Sequence, residues 1–138
     1  MGAWDVSVFG NDDAADFLFE FDDAPTLAEV VPTLEDALDT ALEATAELDA
    51  MDGAVGMAAA ALVVSWDNPT MLGSEEGESL APWPRSPELL PPHLATKAAQ
   101  VLDRLHQADG NELAELWEEA GRTTDYQAEL TRWRSRLP

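Results

Sequence analysis

Residues 54–66 read AVGMAAAALVVSW, a run with no charge and one polar side chain, Ser65. Drawn as a helix it is apolar on every face, and such a helix is stable only when buried on all sides. It is well short of the roughly 20 residues needed to cross a bilayer, so it is expected to be the central helix of a helical domain. Its alanines let neighbouring helices approach closely. The architecture expected is an all-α, compact bundle of five to seven helices around residues 54–66. An extended N-terminal lead-in docks on it, and residues 1–138 form one domain.

The chain of 138 residues is long enough for a real core without covalent staples. It has no cysteine, which excludes disulfides, thiolate nucleophiles and cysteine metal sites. The opening MGAWDV has neither a basic n-region nor an apolar h-region, and Val6 stands where myristoylation requires Ser or Thr. A cytoplasmic location is expected.

Charge is the unusual feature: 7 basic against 28 acidic residues, a formal −21. No Lys or Arg precedes Arg85, while 19 acids fall in residues 1–84; the rest of the chain holds 9 acids and all 7 bases, 7 − 9 = −2. Such a field repels nucleic acid and anionic membranes and steers basic partners toward the first half. Solubility alone is the plainer reading of the same numbers.

Ahead of the central run, AWDVSVF (residues 3–9) alternates loosely and reads as an extended segment whose Trp4, Val6 and Phe9 pack on helices. Asn11 is a good N-cap. Asp12 and Asp13 then fall in a first helical turn, where carboxylates suit the positive end of the helix dipole. Ala15, Leu18 and Phe19 make the expected apolar stripe, flanked by Phe17 and Phe21, and the helix should end near Asp22–Pro25.

Met1-Gly2-Ala3-Trp4 followed by Phe9-Gly10-Asn11-Asp12-Asp13-Ala14-Ala15-Asp16 resembles the N-terminal signature of a bacterial family of unknown function, DUF4259. Its members begin Gly-x-Trp-Gly, then Phe-x-Asn-Asp-x-Ala-x-Asp; here Asp5 replaces the second glycine. The signature residues are therefore Trp4, Phe9, Asn11, Asp12, Ala14 and Asp16. The resemblance continues at Ala58-Ala59-Ala60 and Glu112–Trp117, covering most of the chain. It implies a small helical fold and no particular activity.

Asn11, Asp12, Asp13 and Asp16 supply oxygen ligands of the kind Ca²⁺ or Mg²⁺ takes, and Asp12 and Asp16 stand one turn apart. The loop lacks the D-x-[DN]-x-[DN]-G spacing with a distant Glu that defines an EF-hand. A cap with dipole-favoured acids explains the same residues without an ion, so no metal and no cofactor is expected.

Thr26-Leu27-Ala28-Glu29 has capping-box spacing and should open a short helix. Pro32 should break it. Thr33 then caps a helix running from Leu34 to about Asp49, with Leu34, Leu38, Ala41, Leu42, Thr45 and Leu48 buried. Glu35, Asp39, Glu43 and Glu47 recur every four residues on an outer face. Like charges at that spacing cost about 0.2–0.5 kcal/mol per pair, roughly 1 kcal/mol for three pairs. The ridge is either a solvated face screened by salt or a docking surface for a basic partner.

Asp49–Gly53 reads as a turn, and Asp67-Asn68-Pro69 ends the central helix. Residues 67–92 form a long connection rich in Pro and Gly, with five prolines before Pro92. Unstructured connections beyond about 12–15 residues are uncommon in a compact domain. Met71, Leu72, Leu80, Trp83, Leu89 and Leu90 should pin parts of it to the core, and Trp83 between two prolines is a candidate partner anchor. Beyond it, Leu94, Ala98, Val101, Leu102 and Leu105 form a 3.6-period stripe ending before Gly110. Asn111 caps a short helix bearing Leu113, Leu116 and Trp117, stopped at Gly121. Thr123 or Thr124 opens the last helix, with Tyr126, Leu130, Trp133 and Leu137. Arg132, Arg134 and Arg136 complement its dipole and are available to the acidic first half.

No phosphate loop, Gly-x-Ser-x-Gly elbow or His-Glu-x-x-His pair occurs. The two histidines, His93 and His106, fall at opposite ends of one helix, a poor geometry for a shared site. The reading is a non-catalytic acidic interaction domain, of the kind by which an immunity protein or antitoxin blocks a toxic nuclease. Glu35, Asp39, Glu43, Glu47 and Trp83 are its candidate partner contacts. Alternatives are a structural or regulatory subunit docking through loop residues such as Trp83, and a metal-dependent enzyme using Asp12, Asp13 and Asp16. Neither a nucleic-acid nor a membrane partner is expected.

Overall fold

The structure, a computed structural model, describes residues 12–19, 26–44, 46–68 and 87–137. Among them are six helices and no strand: α1 (Asp12–Phe19), α2 (Leu27–Glu43), α3 (Ala50–Asp67), α4 (Pro92–His106), α5 (Glu112–Glu119) and α6 (Thr123–Arg134). The expected all-α bundle is what these residues form. The lead-in of residues 3–9, with Trp4 and Phe9, lies outside the described residues, as do Asn11, Thr45 and Trp83.

Helix α3 contacts each of the other five. From Gly53 to Trp66 every residue is buried except Val55, which is half-buried, so the uncharged run is enclosed as its composition requires. Among the described residues no helix is long and apolar enough to cross a membrane. The helix starts a turn earlier than the apolar run. Asp49 is its N-cap, with Oδ1 accepting from the Asp52 amide at 2.8 Å, and Glu112 Oε1 accepts from the Ala50 amide at 2.8 Å. Two amides that a helix start leaves unpaired are thereby satisfied, so the expected turn at residues 49–53 becomes helix. Buried Ser65 donates to the Ala61 carbonyl at 2.8 Å, which answers its hydroxyl inside the core.

Small residues set the helix spacing. A Cβ built on Gly56 would stand 2.8 Å from Ala41 Cβ, closer than carbon atoms pack, so α2 rests against α3 at a point where only glycine fits. The resulting core runs as one cluster from Ala14 of α1 through Leu34, Leu62 and Leu102 to Trp133 of α6.

Two expectations about α2 fail. Pro32 does not break it, and Thr33 is not a cap: one helix runs through both residues, and Thr33 Oγ1 donates back to the Glu29 carbonyl at 3.1 Å. Pro32 is the sixth residue, just beyond the first turn whose amides lack helical acceptors anyway, so it removes one bond, to the Ala28 carbonyl. Ala28 and Pro32 are both exposed, leaving that carbonyl to water, while buried Val30 and Leu34 hold the helix on either side. Thr26 occupies the N-cap position, but its hydroxyl makes no capping bond.

The helix also stops at Glu43 rather than Asp49. Leu48 is buried, though in a parallel bridge to Asn111: its amide donates to the Gly110 carbonyl at 2.7 Å, and its carbonyl accepts from the Glu112 amide at 2.9 Å. These long-range bonds replace the ones a longer helix would have made. Gly110, at φ +62°, allows the approach, since a Cβ there would collide with the Ala46 carbonyl oxygen. Fully buried Asn111 completes the joint. Its Oδ1 accepts from the Ala114 amide at 3.2 Å, as the expected cap, and its Nδ2 donates to the carbonyls of Leu105 and Gln107 at 2.9 and 3.0 Å. Tyr126 Oη also donates to the Leu105 carbonyl, at 2.9 Å, and burial pushes its phenol up to about 12.

The C-terminal helices follow their sequence pattern. Leu94, Ala98, Val101, Leu102 and Leu105 are buried on α4, Leu113 and Trp117 on α5, and Tyr126, Leu130 and Trp133 on α6. Leu116 is half-buried, and Leu137 packs on the core from beyond α6. On α1 the expected Leu18 and the flanking Phe17 are buried, Ala14 joins them in the core and Ala15 is half-buried; the Phe19 side chain and Phe21 lie outside the described residues. In the 67–92 connection, Trp66 Nε1 donates to the Glu88 carbonyl at 2.8 Å and Leu90 packs on the core, but Leu89 is 76% exposed.

Candidate functional site

Helix α2 presents acids to two neighbours. Toward α4, Lys97 Nζ donates to Glu35 Oε2 at 2.9 Å and lies 2.7 Å from Asp39 Oδ1; His93 Nε2 is 2.7 Å from the same Glu35 oxygen. Residues one turn apart on each helix thus interlock, as i, i+4 spacing allows. Hydrogen bonding from Lys97, then from His93, holds the Glu35 carboxyl below its ordinary value; Asp39, then Glu35, raise the Lys97 ammonium. Two members of the expected outer ridge therefore face a cation of their own chain. Glu43 is exposed at the end of α2, and Glu47 is exposed beyond the helix, out of the four-residue register.

On its other side α2 borders a groove shared with α1 and the start of α3. It comprises two adjoining hollows of about 290 Å³ and about 320 Å³, both lined by Phe17, Met51 and Val55. Buried Phe17 and Ala37 form the floor, Val55 is half-buried, and Met51 stands 56% exposed at the mouth. Asp36 and Asp52 line the first hollow, and Asp13 and Asp16 the second. Burial, then the neighbouring Asp49 carboxylate, raises the Asp52 carboxyl. None of these four carboxylates pairs with a base among the described residues.

Thr33 and Thr40 also line the groove, but each hydroxyl donates to a carbonyl of its own helix. Among the described residues the lining has no histidine, lysine or activated hydroxyl, and those residues offer acceptors and apolar surface. Its chemistry is that of binding cations and apolar groups together. Among the described residues no group of three metal-ligating side chains is close enough to share an ion. The Asp12 side chain lies outside the described residues, and Ala14 of the signature is core.

Residues 2–134 match the model of the domain of unknown function DUF4259. The chain belongs to this family. No curated protein and no solved structure matches it. The DUF4259 region spans all six helices, so the paired seam and the acidic groove both lie within it.

Sequence reasoning found Asp13 and Asp16 but missed Asp36, Met51, Asp52 and Val55. A signal was present. Thr33, Asp36, Ala37 and Thr40 recur at helical spacing beside the Glu35–Asp39 ridge, and Met51 and Val55 stand one turn apart.

Proposed function

We propose that this DUF4259 chain is a cytoplasmic, non-catalytic interaction domain whose acidic first half binds a basic partner protein. An immunity protein or antitoxin works this way on a nuclease, setting carboxylates where phosphates would lie. One observation carries the reading: the excess acid is left without internal compensation. No base precedes Arg85. Of the bases that follow, Lys97 reaches back to Glu35 and Asp39, while Arg122 lies on Asp125, Arg132 on Glu129 and Arg134 on Asp103 within the second half. Arg104 donates to the carbonyls of Asp109 and Gly110. A field of one sign raises the association rate with an oppositely charged partner by about 10–10³ and weakens with salt.

The test is affinity capture on the immobilised chain at about 0.1 M and about 1 M salt, where the Debye length falls from about 10 Å to about 3 Å. A basic protein retained at the lower strength and released at the higher, then shown to bind in purified form with the same salt dependence, is the expected result. A partner retained equally at both would place binding on apolar contact and sink the charge reading.

A further inference from the structure

We propose that the groove between α1, α2 and α3 seats an amphipathic helix of a basic protein. The apolar face of that helix lies on Phe17, Met51 and Val55, and its lysines or arginines stand over Asp13, Asp16, Asp36 and Asp52. This inference rests on the reading above and names the surface and the shape of the partner.

Shape, charge and exposure each support it. The hollows, about 290 Å³ and about 320 Å³, are open and sit at the small end of sites that enclose a drug-sized molecule, about 300–1,000 Å³. They suit the side chains of a helix laid across them. Met51 is one of two large apolar side chains left exposed among the described residues, and methionine adapts to the surface it meets. The neighbouring carboxylates surround it with acceptors that no base of the first half can answer, because residues 1–84 hold none. Burial together with Asp49 already disfavours the ionised form of Asp52, and an arriving cation would relieve that penalty.

A helix fits better than an extended strand. Strand addition needs an unpaired sheet edge, and the groove is walled by helices whose backbone bonds are internal. A second copy of this chain would bring acid against acid.

The probe is a synthetic amphipathic Lys/Leu peptide of about 18 residues, roughly five helical turns. A Lys/Ser peptide of equal charge serves as its comparison. Binding to the ¹⁵N-labelled full chain is followed by amide shifts at about 0.05 M salt, where screening is weak. The Lys/Leu peptide is expected to bind more tightly and to shift amides around residues 13–17, 33–40 and 51–55. Asp13→Asn with Asp16→Asn, Asp36→Asn and Asp52→Asn should weaken it about tenfold or more. Met51→Ser should weaken it about fivefold. Neutralising Glu115, Glu118, Glu119 and Asp125 changes net charge by the same amount on exposed positions of α5 and α6, and should leave the site-specific shifts in place.

Equal binding of both peptides, weakened alike by either set of four changes, would overturn the groove and leave the charge reading standing. No binding of either peptide would overturn both. Self-association of the chain that disappears in Met51→Ser would place a second copy in the groove and overturn the proposal.

Discussion

Glu35 and Asp36 are neighbours in sequence but face different company. Glu35 meets Lys97 at 2.9 Å and His93 at 2.7 Å in the seam with α4, whereas Asp36 lines the groove with α1 and α3, where no base pairs with it among the described residues. One residue along a helix is a turn of about 100°. That rotation separates acids engaged by the fold from acids left to the solvent field. Counting carboxylates in such a chain therefore overstates the charge available to a partner on one face of α2 and describes it well on another.

The largest expected effect comes from a change that should disturb both faces together. Gly110→Ala places a side chain at positive φ and against the Ala46 carbonyl, just after α2 ends. Strain and displacement should lower stability by about 2–4 kcal/mol, measured by urea unfolding. Amides of the seam and of the groove should shift together.

Gly56→Ala is the next. Its methyl would press on Ala41 Cβ and push α2 from α3; about 1–3 kcal/mol of overpacking is offset by about 1 kcal/mol of helix propensity. Groove amides should move while the Glu35–Lys97 pair persists. Equal disturbance of both would show that the two faces are not independent.

Lys97→Met acts on the seam alone. Because Lys97 depresses the Glu35 carboxyl, this pairing stabilises the fold above the ordinary glutamate value of 4.5 and is lost as pH falls through the lowered value. The variant should lose that acid-side window, and the Glu35 titration followed by NMR should rise. An unchanged titration would mean that Lys97 is not the cation that matters there.

The smallest effect belongs to the groove. The Asp52 carboxyl is raised, so its ionisation opposes folding at neutral pH, and this penalty vanishes below the ordinary aspartate value of 3.8. Asp52→Asn should give a slightly higher thermal midpoint at pH 7 and none of that gain at pH 3. A fall at pH 7 would mean that a cation already compensates this carboxylate.

Much of the helical text was legible because its causes are local. Asn111 reads as a cap, Gly110 and Gly121 stand at positive φ after helices end, and Leu94 to Leu105 keeps a 3.6-residue period. Expectations failed where a remote contact outweighed a local rule. Packing of Val30 and Leu34 carried α2 through Pro32, and backbone bonds to Gly110 and Glu112 drew Leu48 out of the helix.

By itself the sequence determined a buried, uncharged central helix, a bundle around it and a first half without a single base. Each follows from composition or from spacing within a few residues. Which carboxylates are engaged was decided only in three dimensions, because Lys97 lies 62 residues from Glu35. So was the groove, whose apolar and acidic parts come from three helices that meet only when the chain has folded.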